Sequence, residues 1–490
     1  MLCTSIAAQV RQNARTCAAR AAIGGPCLCY AQVWERIESV AAALRHADVT
    51  EQGGIRPISY LLPNGIDAVL VPLACQVARL TAVPLDYRLT ATELTDRIIR
   101  TRATLVISGG SQLGQAADLG AETIDVASID PAPGVSTFTG ATEGDRPLLV
   151  GYTSGTTGRP KGALYSGDRL YLDYVRWGWH YGITASDTFL TAAPLFHNSY
   201  LGLSLLALMT GAPNRIMTSF DPCIAREELT KRATFSFLVP AMLDVALVGW
   251  REDGHSLSAA RIVLSSGVPV HVDLLSDALA AFSHAKIAEA YGWSGRGWVT
   301  FEAKRLGAMV PGCVGWPMIE ADLVLVGDHD QLVGAGETGE VAVRGLTPFG
   351  GYVDEDEATA ASEWHGYHRS GDIGRWLADG RLCLCDRKED TVISGGENVY
   401  SAEVERVLAT RPSVAETAVV GQPSKRWGEE VVAFVVPAGP AIESEIDSQR
   451  RQHLAGFKVP KRIEFVDPLP RNAMGKTLTF LPRYEIGTEQ

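Results

Sequence analysis

The chain reads as an α/β protein: a large N-terminal lobe of α/β sheets with a small β-rich subdomain, and a small α+β C-terminal domain. Three observations predict this. Short apolar strands alternate with helix-period segments from Ile58 to Ser108 and again from Thr188 to Tyr291, the mark of a parallel sheet with helices on its faces. From Ala321 to Arg344 the pattern changes to hairpin-like strands joined by Gly/Asp turns. Beyond Asp386 a last segment, near the ~100 residues of an independent domain, carries its own helix and strand pattern.

Taken in order, Met1–Ala22 sets Arg11, Arg15 and Arg20 among apolar residues, as an amphipathic helix does and a signal peptide does not. Ile58–Leu62 is an apolar strand, Pro63-Asn64-Gly65 a turn and Ile66–Leu80 a helix by its period. Ala82–Leu85 and Thr104–Ser108 are strand-like around a helical Ala91–Arg100. Gly134–Asp145 is polar and rich in Gly and Thr, a surface connection. In the second run Phe189–Ala192, Phe235–Val239 and Arg261–Ser265 are strands, and Leu201–Met209, Ala241–Val248 and Val272–Ala281 helices. The longest apolar runs are core: Leu201–Met209 is too short for a bilayer, and Phe235–Trp250 carries Pro240 and Asp244.

Size and composition narrow the function. The 490 residues, 46% hydrophobic and 20% charged, have the balance of a soluble globular chain of roughly three compact units. The 56 acidic residues outnumber 44 basic ones, a formal charge of −12 with no basic patch to offset it. That argues against nucleic acid or an anionic membrane as partner, while leaving room for a local anion site. Of nine cysteines none forms a Cys-x-x-Cys pair or a Cys/His group with zinc spacing, so no metal site is expected from them. They read as reduced thiols in a cytoplasmic compartment.

The most chemical stretch is Gly151-Tyr-Thr-Ser-Gly-Thr-Thr-Gly-Arg-Pro-Lys-Gly162, just after apolar Pro147–Val150. Its glycines let backbone approach a ligand closely, and N–H groups with the hydroxyls of Thr153, Ser154, Thr156 and Thr157 around Gly155 can wrap phosphate oxygens. Lys161 adds a point charge. Gly162 follows the lysine where the usual nucleotide loop has its metal-binding hydroxyl.

This stretch resembles the phosphate-gripping signature of the adenylate-forming superfamily: acyl- and aryl-CoA synthetases, peptide-synthetase adenylation domains and luciferase. The resemblance runs along essentially the whole chain and is nearest to aryl-CoA ligases of the 4-halobenzoate type. It implies a two-step reaction in which a carboxylate attacks ATP to give an acyl-adenylate, and a thiol then expels AMP. Pro194-Leu195-Phe196-His197-Asn198 resembles the motif bordering the acyl and pantetheine sites, so Phe196, His197, Asn198 and Trp293 are expected to line the acyl pocket. Ser266-Gly267 and Tyr291-Gly292-Trp293-Ser294 resemble the adenine segments, with Tyr291 against the purine and Ser294 at the α-phosphate. Asp372, in Ser370-Gly371-Asp372, matches the ribose acid, and Arg387 the ribose/phosphate arginine, although Asp386 replaces the family's glycine. Glu389 falls at the hinge of a mobile C-terminal domain, taken as 387–490 after an N-terminal 1–386. Gly395 and Gly396 resemble the pantetheine-tunnel loop, and Lys476 the lysine that contacts carboxylate and α-phosphate. Arg88, Trp427, Phe457 and Lys461 match CoA contacts, with Val459 where one arginine is expected.

One position departs from the family. Its Tyr-Gly-x-Thr-Glu ends in an acid that supports Mg²⁺, and here Gly295 and then Arg296 stand there. Losing such a support commonly costs about 10–100-fold in metal affinity or activity, and Glu302 is a candidate substitute that no spacing places at the site. The expected function is therefore acyl-CoA synthesis from an apolar organic acid, ATP and CoA. Three alternatives stand beside it: an enzyme poor at adenylation that thioesterifies an acyl-adenylate supplied by a partner adenylating enzyme, a carrier-protein-loading ligase, and a non-catalytic acyl-nucleotide binder.

Overall fold

The computed structural model describes the chain except residues 1–4, 25–26, 48, 50, 52–54, 132–137, 139–145, 154–160, 269, 294, 306, 311, 346–348, 389, 395–396, 425–427, 440–453, 455–457 and 470–490. The chain divides into two compact units, one of Met1–Asp322 with Val343–His368, the other of Leu323–Ala342 with Arg369–Gln490.

The first unit is α/β, as the alternation predicts. In one sheet the strands Lys286–Trp293, Ile262–Ser265, Phe235–Phe237, Phe189–Thr191 and Asn214–Ile216 lie side by side and parallel. Gly297–Ala303 then turns back antiparallel to Lys286–Trp293. In a second sheet Pro147–Thr153, Thr81–Pro84, Pro57–Leu61, Leu105–Ser108 and Glu122–Asp125 are parallel neighbours, and Lys161–Ser166 pairs antiparallel with the first of them.

The helices follow their sequence faces. Ile66–Ala78 and Asn198–Thr210 are apolar and buried on nearly every side, which places them inside the lobe. Ala91–Thr101 is amphipathic and opens on a capping box, in which the Thr90 hydroxyl accepts from Glu93 N–H and the Glu93 carboxylate accepts from Thr90 N–H at 2.8 Å. Among the described residues no helix is long and apolar enough to cross a membrane. Asn64, in the turn after Pro57–Leu61, ties the two sheets together: its amide donates to the carbonyls of Ala193 (2.9 Å) and Met217 (3.2 Å) and accepts from Leu195 N–H (2.8 Å). Of the connection Gly134–Asp145 only Phe138 is described, and it packs on the core.

The second unit holds the greater part of the hairpin-like strands. Asp322–Val326, Thr338–Arg344, Tyr367–Trp376 and Leu382–Arg387 neighbour one another in that order. The long hairpin Val414–Ser424/Gly428–Pro437 carries Arg462–Phe465 parallel to its second strand. Val404 and Leu408 of the helix Ser401–Ala409 join Val419, Val431, Ala433 and Val435 in its core.

Among the described residues six cysteines are free thiols, whereas Cys313 and Cys383 are disulfide-bonded. This corrects the expectation that all are reduced; both of these side chains are buried in strands.

Candidate active site

Ligands of parallel α/β sheets settle beyond the carboxyl ends of the strands, where the chain leaves for its helices. In the first unit that edge collects the motifs. Phe189–Thr191 leads to Pro194–Asn198, Phe235–Phe237 to Val239, Ile262–Ser265 to Ser266-Gly267, and Lys286–Trp293 ends on Tyr291-Gly292-Trp293. Gly267 has φ +99°, a conformation that favours glycine, and a Cβ there would meet nothing within 4 Å. The Ser266 hydroxyl accepts from Trp298 Nε1 at 3.2 Å. Tyr291 is buried, with its ring 5.8 Å from that of Trp293.

Two antiparallel strands flank the hydroxyl-rich signature, Pro147–Thr153 and Lys161–Ser166, with Thr153 and Lys161 directly opposite each other. The Lys161 ammonium lies 5.4 Å from the ring of Tyr352. Asn198, the first residue of its helix, packs its amide onto the α-carbon of Gly151, where any Cβ would collide with it. The acyl motif and the signature strand are therefore in direct contact.

Arg88, Phe196 and His197 form one group with Tyr87. The Arg88 guanidinium lies 4.8 Å over the Phe196 ring, which meets Tyr87 edge-on at 5.4 Å and His197 at 4.4 Å. Arg88 also pairs with Asp86 at 2.8 Å. Burial and, after it, the Arg88 charge hold the His197 imidazole down to about 4, so it is neutral at pH 7.

In the second unit Asp372 and Arg387 are cross-strand partners, with Nε to Oδ1 at 3.1 Å. The turn before Asp372 is held by Glu340, which accepts from Gly371 N–H (3.2 Å) and from the Lys388 ammonium (2.9 Å). Asp386 accepts from Arg387 N–H at 2.8 Å, and burial pushes its carboxyl up to about 6. Lys461 enters the strand Arg462–Phe465 by donating its N–H to Val431 O at 2.7 Å. Val459 packs against the hydrophobic core of this unit.

Gly295 is where the structure adds most. A Cβ at this position would collide with Cε1 of His368. His368, 1% exposed, stacks on Phe349 at 4.6 Å and accepts from Trp293 Nε1 at 3.3 Å. No carboxylate could occupy position 295 without expelling that ring. Glu302 is no substitute: it accepts from the buried Lys304 ammonium at 2.6 Å, which also pairs with Glu289 at 2.6 Å. Among the described residues no group of three or more His, Cys, Asp or Glu side chains is placed to hold a metal ion. Among the described residues, none therefore supplies the acid that the family sets at position 295 to support magnesium.

His368, Asn64 and Lys304 went unnoticed in the sequence. No spacing signal could have found His368, which reaches Gly295 from 73 positions along the chain (368 − 295). Ser154, Gly155, Thr156, Thr157, Ser294, Glu389, Gly395, Gly396, Trp427, Phe457 and Lys476 lie outside the described residues, as does the side chain of Thr153.

Comparison with known proteins agrees with this geometry. Residues 10–353 match the family described as AMP-binding enzyme, and residues 403–476 its C-terminal domain. A feruloyl-CoA synthase from an Amycolatopsis species is 34% identical over 470 residues, covering 93% of each chain. An indoleacetate–CoA ligase from Aromatoleum aromaticum is 32% identical, covering 92% of this chain and 91% of its own. Among solved structures, the o-succinylbenzoate CoA synthetase of Bacillus subtilis in complex with its acyl-adenylate superposes with a TM-score of 0.88 at 26% identity, covering 98% of both chains.

Proposed function

The chain belongs to the AMP-binding enzyme family, and from that premise we propose that it joins an apolar organic acid to CoA through an acyl-adenylate. The observation that carries this reading is the assembly in one unit of the adenine, acyl and signature motifs: Tyr291, Ser266 and Phe196–Asn198 at one sheet edge, with Asn198 seated on Gly151 of the signature strand.

Each residue then takes a part. Lys161 and the hydroxyls of Thr153, Ser154, Thr156 and Thr157 around Gly155 neutralise the phosphates. Tyr291, Ser266, Gly267 and Gly292 seat the purine, and Ser294 the α-phosphate. Asp372, an acceptor with two oxygens, takes the ribose hydroxyls beside Arg387. Phe196, His197, Asn198 and Trp293 border the acid; an imidazole that is neutral at pH 7 adds no charge to an apolar pocket. Lys476 bridges carboxylate and α-phosphate during adenylation. Gly395 and Gly396 line the thiol's path, while Arg88, Trp427, Phe457 and Lys461 hold CoA. The C-terminal segment from 387 swings about Glu389 between the two steps. The setting we assign is cytoplasmic, where the free thiols Cys27 and Cys223 are ordinary and the disulfide bonding of Cys313 and Cys383 is unusual.

A second reading has its own support in His368, whose ring occupies the space a metal-supporting acid at position 295 would need. On it the enzyme adenylates poorly and thioesterifies an acyl-adenylate delivered by a partner enzyme. One pair of assays separates the two: pyrophosphate release from acid and ATP, and CoA-thioester formation from a preformed adenylate. Strong release with ordinary Mg²⁺ supports the full synthetase; thioester formation without release supports the specialised one. No thioester from either start would refute both.

A further inference from the structure

Arg296 and His368 together point beyond that assignment. Arg296 is only 7% exposed, yet its guanidinium has no hydrogen bond or ion pair among the described residues, and its Nε is buried and unsatisfied. Of the charges that act on it, that of Glu363 is attractive and those of Arg169 and Arg176 repulsive, and a buried cation without a hydrogen-bonded acceptor costs several kcal/mol. His368, 1% exposed, is in a matching condition. An indole N–H can only donate, so the bond from Trp293 Nε1 to His368 Nδ1 makes Nδ1 an acceptor and leaves the ring proton on Nε2. That Nε2–H is also buried and unsatisfied. Burial first, then the charge of Arg296, hold the imidazole down to about 3, so it stays a neutral donor throughout the working pH range. The two groups are neighbours through Gly295, whose α-carbon carries the His368 ring and whose peptide leads to Arg296.

A guanidinium whose Nε is buried and a buried N–H, both without an acceptor among the described residues, make a site of the opposite sign to an acid-supported metal. We propose that Arg296 and His368 form a binding site for an anionic oxygen group, standing where relatives of this family place a carboxylate for a cation. The group comes either from the phosphates of the nucleotide, which Arg296 would then neutralise directly, or from a second carboxylate on the organic acid. This rests on the ligase reading for the identity of the anion. The geometry of the site does not.

The test is equilibrium binding to the full-length protein in the absence of divalent cations, with three probes: inorganic pyrophosphate, a dicarboxylic acid paired with its monocarboxylic counterpart, and AMP. Wild type is compared with Arg296→Gln and His368→Gln, each checked for an unchanged thermal transition. Loss of one charge-assisted contact should weaken the recognised probe roughly 10- to 100-fold. A drop confined to pyrophosphate assigns the site to phosphate, and a lost preference for the dicarboxylate assigns it to the acid. If both variants bind all probes as wild type does, the inference is overturned while the ligase reading stands. Failure of AMP to bind wild type at all would instead count against the ligase reading. Should Arg296→Gln shift the thermal transition, Arg296→Lys keeps the charge but not the fork, and unchanged affinity for pyrophosphate and dicarboxylate in both variants refutes the site.

Discussion

At the scale of single residues, position 295 shows how a local change is held by its surroundings. Glycine is required there by contact, not by backbone conformation, because the His368 ring lies against its α-carbon. Gly295→Ala should overpack this spot and cost about 1–3 kcal/mol in chemical denaturation. The cost should largely vanish in a His368→Ala background, and the double-mutant cycle measures the coupling. Equal costs in both backgrounds would mean that the ring does not hold the site closed. Sequence comparison could flag Gly295 as a departure from the family pattern. It could not say that the space was filled, because the filling residue comes from a distant strand and belongs to no motif.

Among the elements, strand order decides what meets what. The four strand ends that carry Phe196, Val239, Ser266 and Tyr291 converge because their strands are parallel neighbours. Each motif was legible alone, and so was the β-α-β period that made a parallel sheet the expectation. Only the structure set Thr153 opposite Lys161, on paired strands to either side of the glycine-rich signature. In the second unit the helix Ser401–Ala409 carries Glu405, which accepts from Val419 N–H at 2.7 Å and is buried. Burial first, aided by the nearby Asp386 and Asp390, pushes its carboxyl up to about 7 against the opposing hydrogen bond from Val419 N–H and a smaller pull from Arg406. An acid whose pKa is raised by folding holds its proton more tightly folded than unfolded. Its contribution is therefore complete below about 4.5 and is lost as pH rises towards about 7. Asp386, pushed up to about 6, acts in the same direction. Melting temperature should fall across that window, and Glu405→Gln should flatten the profile; an identical slope in the variant would rule this acid out as the cause.

For the whole molecule, the two half-reactions provide the test. If Lys476 serves adenylation alone, Lys476→Ala should slow pyrophosphate release by about 10²–10³, the usual effect of losing one charge-stabilising donor. It should leave thioester formation from a preformed adenylate nearly unchanged. Equal loss in both assays would remove Lys476 from its assigned step. The same two assays applied to wild type report what Gly295 has done to the first step.

The sequence by itself determined the family and the α/β class and nominated the candidate contacts, because the chemistry of gripping a phosphate ester needs particular residue types at short, ordered spacings. Only the tertiary structure decided that Glu302 is committed to Lys304, that Asn198 sits on Gly151, and that His368 closes position 295 beside an arginine whose Nε is buried without an acceptor among the described residues. Those are contacts between residues far apart in the chain. Packing creates them, and no spacing rule encodes them.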